Sequence, residues 1–247
     1  MTDAGRGGVH IWVGLVPDTV EDQDVALLDD REMRRAEAFQ DVVARNRYAG
    51  ARAAIRRTVA RWHDVAPAEV VWEVGVCPGC GSDRHGPPYL REPRSAWQTS
   101  VSRSGEWWML ALSYAVPVGV DIERRRAPEV PAVLRRGLNA EERAHVAATR
   151  QGTERDDALM RCWVRKEAVV KAWGIGLGTD LAEVAVRPEQ ERAVVERAGS
   201  DGPERWTVAE VAVGADCLAA LARPAADTSQ VVVHFAGTGA GRATERA

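Results

Sequence analysis

The run "VPVGVDIE" (Val116–Glu123) constrains this chain more than any other stretch. On an extended strand, successive side chains alternate faces, so Val118, Val120 and Ile122 point one way and Gly119, Asp121 and Glu123 the other. The apolar face demands a core. The opposite face holds two carboxylates about 7 Å apart, the rise of two strand residues. Like charges that close repel unless a cation sits between them. An oxygen-only pair suits Mg2+, which takes one or two carboxylates and fills its remaining positions with water or phosphate oxygens. Gly119 is expected to leave room beside the pair for a ligand. An edge strand whose solvent face happens to be acidic is the plain alternative.

A second stretch, "WVRKEAVVKAWG" (Trp163–Gly174), reads as a helix of good formers stopped by a glycine. Trp163, Glu167 and Lys171 lie along one side at steps of four, with Lys166 beside the glutamate. A Glu–Lys pair at that spacing on an exposed helix contributes only about 0.2–0.5 kcal/mol. Together with Asp121 and Glu123, however, Glu167 would complete a cation's protein ligands, and Lys166 and Lys171 would then face phosphate.

Around these two stretches the chain alternates strand and helix patterns. Val9–Val16 is a β-rich run, and Asp29–Asp30 can cap "REMRRAEAF". A long helix is expected from Val42 to His63, with an apolar stripe of Ala44, Tyr48, Ala51, Ile55, Val59 and Trp62. Arg45, Arg52 and Arg56 flank that stripe on one side and Arg47 on the other. Glu69–Val76 reads as a strand, then a loop, "CPGCGSDRHGPPYL", then "TSVSRSG" as a turn and "EWWMLALS" as a strand. Asn139 and Glu142 form a capping box that opens a helix. "LAEVAVRP", "RWTVAEVAV" and "DCLAALARP" read as closing strands, and the residues after about Phe235 as a disordered tail. Helices mixed with mostly antiparallel strands imply an α+β fold. The expected division is 1–115, 116–235 with the metal site, and 236–247 as tail.

The net charge of −3 argues against bulk nucleic-acid binding, although arginines outnumber acidic residues between Arg31 and Arg61. No run approaches 18 apolar residues, "MTDAGRGG" has no apolar leader core, and four cysteines suit a reducing compartment. A cytoplasmic chain that uses neither membrane nor nucleic acid is expected.

"VGVDIE" followed some forty residues later by "WVRKEAVVKAWGIGL" resembles the paired signature of 4′-phosphopantetheinyl transferases of the surfactin-synthetase-activating type. That signature reads G-[VI]-D-[IVL]-E, then W-x-x-K-E-[AS]-x-x-K-x-x-G. "HGPPYL" and "TSVSRSG" are similar to the family's G-K-P loop and serine-histidine-serine segment. "GTDLAEVAV" and "CLAALARP" extend the likeness over roughly Val9 to Pro224.

The resemblance implies two similar α+β halves in a monomer, with coenzyme A bound between them. It implies transfer of the phosphopantetheine arm to a serine of an acyl or peptidyl carrier protein, leaving 3′,5′-ADP. Asp121, Glu123 and Glu167 would hold Mg2+, and Lys171 would contact the pyrophosphate. Glu167, Lys166 or a metal-bound water would take the serine proton. Arg47 aligns with an arginine near the adenosine, and Arg31, Arg34 or Arg35 with basic residues near the 3′-phosphate. Arg52, Gly86, Pro88, Ser102 and Arg103 join Asp121 and Lys171 as expected coenzyme contacts. Two positions depart from the pattern: Pro87 stands for a lysine and Arg103 for a histidine. Arginine still binds phosphate and stays charged at every relevant pH.

Two other classes compete. A non-catalytic coenzyme A or carrier-protein binding module would be expected to lose a carboxylate or Lys171, and all are present. A zinc module would draw on Cys77, Cys80 and His85, three donors where a structural site needs four. The cysteines are therefore read as reduced thiols in a loop.

Overall fold

The computed structural model describes residues 7–83, 86–125, 136–176, 179–199 and 202–237. Two four-stranded sheets lie face to face, each with a long helix on its outer side. The first sheet has the order β10–β1–β5–β4, built from β1 (Val9–Leu15), β4 (Trp97–Ser104), β5 (Trp107–Tyr114) and β10 (Val231–Ala236). The second has the order β6–β9–β8–β7, from β6 (Gly119–Arg124), β7 (Arg192–Gly199), β8 (Gly202–Glu210) and β9 (Cys217–Pro224). All pairings in the two sheets are antiparallel except β1 with β10. A two-stranded ribbon, β2 (Val71–Val74) with β3 (Pro88–Glu92), stands beside the first sheet. This is an α+β fold.

Alternation along each strand sets the layers. Val9, Ile11 and Val13 of β1 meet Val120 and Ile122 of β6 and Ala219 and Leu221 of β9 in a core between the sheets. The outer face of the first sheet packs Leu110 and Leu112 on Ala51, Ile55 and Val59 of α3 (Val42–His63). The outer face of the second packs Val208 and Ala220 on Val164 and Ala168 of α5 (Thr153–Ala172). Trp107 and Trp108 divide accordingly, one to the inner core and one to the α3 side. Of the remaining helices, α1 (Asp22–Val25) and α2 (Asp30–Glu37) precede α3, and α4 (Ala140–Ala148) precedes α5. Asp29 and Asn139 close capping boxes on α2 and α4.

Three strands of each sheet, β1, β4 and β5 in the first and β6, β8 and β9 in the second, share one order, while the fourth is added at opposite ends, β10 beside β1 and β7 beside β8. A first strand (β1, β6) is followed by the long helix and pairs with the last strand (β5, β9). That last strand pairs in turn with the one before it (β4, β8). The sequence shows no repeat because layer positions need only apolar character, and different residues fill them.

No backbone ladder joins β4 to β6; serine side chains do. Ser100 Oγ accepts from the Val120 N–H (3.0 Å) and Ser104 Oγ from the Arg124 N–H (3.2 Å). Ser102 Oγ donates to Asp121 Oδ1 (2.6 Å), and Ser104 Oγ to Glu123 Oε2. The alternation in "TSVSRS" places all three hydroxyls on the seam.

The expected closing elements change. "LAEVAVRP" is not a strand but a 3-10 turn (Leu181–Glu183) and an extended segment. Its backbone groups are taken by side chains: Lys166 binds the carbonyls of Leu181 and Val184, Glu142 the Val186 N–H, and Arg165 the carbonyls of Val186 and Arg187. The ladder position goes instead to β7, whose inward residues are only Ala193 and Val195, too little apolar pattern to read as a strand. Val231–Ala236 returns to the first sheet beside β1, and residues 238–247 of the expected tail lie outside the described residues.

Gly119 also differs. It opens no space for a ligand, because α5 fills that space: a Cβ there would lie 2.0 Å from Ala168 O and 2.4 Å from Ala172 N. Gly119→Ala is expected to destabilise the fold by about 3 kcal/mol or more, because backbone has to move. Gly50→Ala in α3, whose Cβ would meet Val16 at an ordinary 3.5 Å, is expected to stabilise by up to about 1 kcal/mol. Denaturant midpoints of the two variants check both directions; equal effects would contradict the packing of α5 on β6.

Candidate active site

The close contact of α5 with β6 brings the two sequence motifs together. Asp121 and Glu123 project from β6 on the side that α5 covers, where Glu167 and Lys171 descend. Asp121 is 3% exposed and Glu167 9%. Asp121 Oδ1 accepts from Lys171 Nζ (2.6 Å) and from Ser102 Oγ, while Lys171 also donates to the Val120 carbonyl (3.2 Å). The helical spacing of Glu167 and Lys171 therefore does not produce an ion pair within the helix: the lysine reaches across to β6. Trp163, one turn before Glu167, hydrogen-bonds to Glu123 from its side chain.

The electrostatics are those of a site short of positive charge. Burial pushes the Glu167 carboxyl up to about 7, with the Asp121 charge adding to it and Lys171 opposing. Burial and Asp121 likewise raise Glu123, against hydrogen bonds from Ser104 and Trp163. Asp121 Oδ2 and Glu167 Oε1 are buried with no hydrogen-bond partner. Orphaned buried carboxylate oxygens are costly, and two of them in one like-charged group fit a divalent cation. Among the described residues, no three His, Cys, Asp or Glu side chains already converge as a preformed metal cluster. The cation that now faces Asp121 is the Lys171 ammonium.

Lys166 is not part of this group, which corrects the expectation that it faces phosphate or takes a proton. It is buried in the opposite direction, its Nζ on Glu142 Oε2 (2.7 Å) and on the carbonyls of Leu181 and Val184. Burial lowers its pKa, and Glu142 counters. Residues i and i+1 on a helix point about 100° apart, so Lys166 cannot follow Glu167 to the β6 side.

On the other side of β4 opens a groove of about 750 Å3. Arg31, Arg34, Arg35, Arg52 and Arg103 line it with Tyr48 and Trp72. Its acidic members are already engaged, Asp29 and Glu32 by Arg56, Glu32 also by Arg52, and Glu73 by Arg91 and Tyr89. Among the described residues, Arg31, Arg34, Arg35 and Arg103 have no carboxylate partner. Arg103 lies over the rings of Tyr48 (4.9 Å) and Phe39 (5.2 Å). Burial lowers its pKa and the Arg35 and Arg52 charges add to that, while Tyr48 and Glu123 oppose. A half-buried guanidinium crowded by its like is relieved by an anion.

The other expected coenzyme contacts fall out unevenly. Arg52 and Pro88 line the groove. Ser102 faces the seam, where it holds Asp121. Gly86 serves a backbone approach, since a Cβ there would lie 2.0 Å from Gly75 O. Arg47 is outside the groove lining and binds Asp18 (2.6 Å) and Glu106 (3.3 Å). Trp163 was placed on the Glu167 side from sequence, but neither it nor Ser104 was given a role as a partner of Glu123. Their signal was present in the alternation of "TSVSRSG" and in the step of four from Trp163 to Glu167, but a serine and a tryptophan carry no charge to draw notice.

Comparison with known proteins bears on the same segment. Residues 117–222, from just before β6 through most of β9, match the model of the 4′-phosphopantetheinyl transferase superfamily. The chain is 29% identical over 161 residues to a Synechocystis sp. protein provisionally named a 4′-phosphopantetheinyl transferase, covering 64% of this chain and 62% of that protein. It is 25% identical over 219 residues to the 4′-phosphopantetheinyl transferase HetI of Nostoc sp., covering 87% and 86%. It is 26% identical over 179 residues to a phosphopantetheinyl transferase of Thraustochytrium sp., covering 68% and 59%. The chain thus spans less than two thirds of the length of the Synechocystis and Thraustochytrium proteins and most of HetI.

A raised carboxylate in the folded state works against stability as it ionises. The contribution of Glu167 is present below its ordinary value of 4.5 and is lost as pH rises through about 7. Without divalent cations, Glu167→Gln is therefore expected to gain on the wild type by roughly 1–3 kcal/mol between pH 5 and pH 8. Urea unfolding across that range measures the gain, and a difference independent of pH would contradict the assignment.

Proposed function

We propose that this chain is a 4′-phosphopantetheinyl transferase of the surfactin-synthetase-activating type. It moves the 4′-phosphopantetheine arm of coenzyme A to a serine of an acyl or peptidyl carrier protein and releases 3′,5′-ADP. The observation that carries the reading is the buried pair of Asp121 and Glu167, each with an orphaned oxygen, with Glu123 half-buried beside Asp121 on β6 and an arginine-lined groove close by. The match of that very segment to the transferase superfamily and the names of the similar proteins support it.

In this reading Asp121, Glu123 and Glu167 hold Mg2+, and the bound ion supplies positive charge to the pyrophosphate of coenzyme A. Lys171 adds a fixed ammonium beside the developing negative charge. Arg103, with Arg31, Arg34, Arg35 and Arg52, receives the remaining phosphate, and Tyr48 and Trp72 offer flat surfaces to the nucleoside. Glu167 is the carboxylate placed to accept the proton of the attacking serine. In this reading the coenzyme lies across the seam where β4 meets β6, as the pseudo-dimeric arrangement implied by the resemblance would have it. A monomeric, cytoplasmic enzyme of secondary metabolite biosynthesis is the setting we infer. Among the described residues, no helix is long and apolar enough to cross a membrane.

The test is intact-mass spectrometry of apo carrier proteins incubated with the chain, coenzyme A and Mg2+. The expected result is addition of one phosphopantetheine arm, abolished by EDTA and reduced at least ~10²-fold in Glu167→Ala. Arg103→Gln is expected to raise KM for coenzyme A with little change in kcat. Coenzyme A binding with no transfer to any of several carriers would replace this reading by that of a binding module.

A further inference from the structure

Outside this site lies a second group of reactive side chains. Cys77 and Cys80 stand in the turn "CPGC" between β2 and β3, neither in a disulfide. The turn is tightly wound: the Cys77 N–H donates to Ser82 O (2.7 Å), the Gly81 N–H to Cys77 O (2.9 Å), and Gly81 takes a positive φ of 72°. The side chains of Cys77 and Cys80 hydrogen-bond to each other. Cys77 is buried and Cys80 exposed.

We propose that Cys77 and Cys80 form a dithiol–disulfide exchange site whose reactant is a small-molecule disulfide. Cys80, the member open to solvent, attacks as thiolate; one half of the disulfide leaves as thiolate and a mixed disulfide forms on Cys80. Cys77 then attacks Cys80 Sγ and expels the second half. Two thiols lose two protons and two electrons, the oxidant is reduced to two thiols, and a ring closes across 77–80.

The surroundings of the four cysteines separate this pair from the rest. Burial pushes the Cys77 thiol up, but backbone N–H groups of Cys80 and Gly79, the Cys80 thiol and the charge of Arg197 bring it below its ordinary value. That favours the thiolate needed for the second step. Burial drives Cys162 and Cys217 up to about 12, with nearby carboxylates adding to it, so both stay protonated. The turn also rests on the end of α5. A Cβ on Gly79 would lie 3.2 Å from Ile175, one on Gly174 would lie 3.5 Å from Pro78, and Cys77 shares a core with Trp173 and Ile175. A ring closed across 77–80 would lie against the segment just beyond the helix that carries Glu167 and Lys171.

The experiment uses the full chain, chelator-treated, with oxidised glutathione as probe and peptide mapping after alkylation under native conditions. The expected result is loss of two hydrogens with a disulfide mapped to Cys77–Cys80, while Cys162 and Cys217 stay unreacted until the chain is unfolded. Cys77→Ser is expected to stop at glutathione on Cys80. Cys80→Ser, a change at an exposed position that leaves the core untouched, is expected not to react. Glutathione persisting on Cys80 of the wild type, equal reaction at Cys162 or Cys217, or no reaction would each overturn the proposal. None of these readouts involves coenzyme A or transfer, so the outcome is independent of the function proposed above.

Discussion

A helix laid directly on a strand leaves little room for anything between them, and here α5 touches the backbone of β6 at Gly119. Two residues further along the strand, the same contact traps carboxylates from both elements against each other with a single ammonium among them. Burying two carboxylates and half-burying a third is unfavourable, and the protein recovers part of that cost with Ser102, Ser104, Trp163 and Lys171. What it leaves is a deficit of positive charge and two oxygens without partners. A hydrophobic core would not tolerate such a feature, whereas a site built to receive a cation and a polyanion requires it.

The seam between the sheets is tied to that deficit. The first sheet supplies Ser100, Ser102 and Ser104, and the second supplies the backbone and carboxylates they bind. Because β4 and β6 share no ladder, these hydroxyls are the polar link along that edge, and two of them fix the site's carboxylates. The opposite side of β4 carries Arg103 into the groove. One edge strand thus connects the arginine-lined groove to the acidic group, and any shift between the two sheets is felt at both.

Much of this was legible in sequence where the pattern is local. Alternation in "VGVDIE" placed the carboxylates on one face, and steps of four placed Trp163, Glu167 and Lys171 on one side of a helix. A capping box marked Asn139, and the Asp29–Asp30 pair the start of α2. What could not be read is what depends on distant partners. Lys166 looked like a phosphate contact because nothing near it in sequence shows that Glu142 and two carbonyls of the 181–184 turn claim it. Gly119 looked like an opening because the approach of α5 is a tertiary event. "LAEVAVRP" has strand-like composition, yet side chains from α4 and α5 take its backbone groups. β10 joins a sheet more than two hundred residues upstream, which no local period announces.

The central claim is that the carboxylates of β6 and α5 bind a divalent cation against the pyrophosphate of coenzyme A. Mn2+ in place of Mg2+ tests it directly, through paramagnetic broadening of the 31P resonances of coenzyme A bound to the chain. The account expects the two pyrophosphate signals to broaden well before the 3′-phosphate, and Glu123→Gln to weaken that effect while the coenzyme remains bound. Equal broadening of all three phosphates, or none with coenzyme A bound, would contradict it.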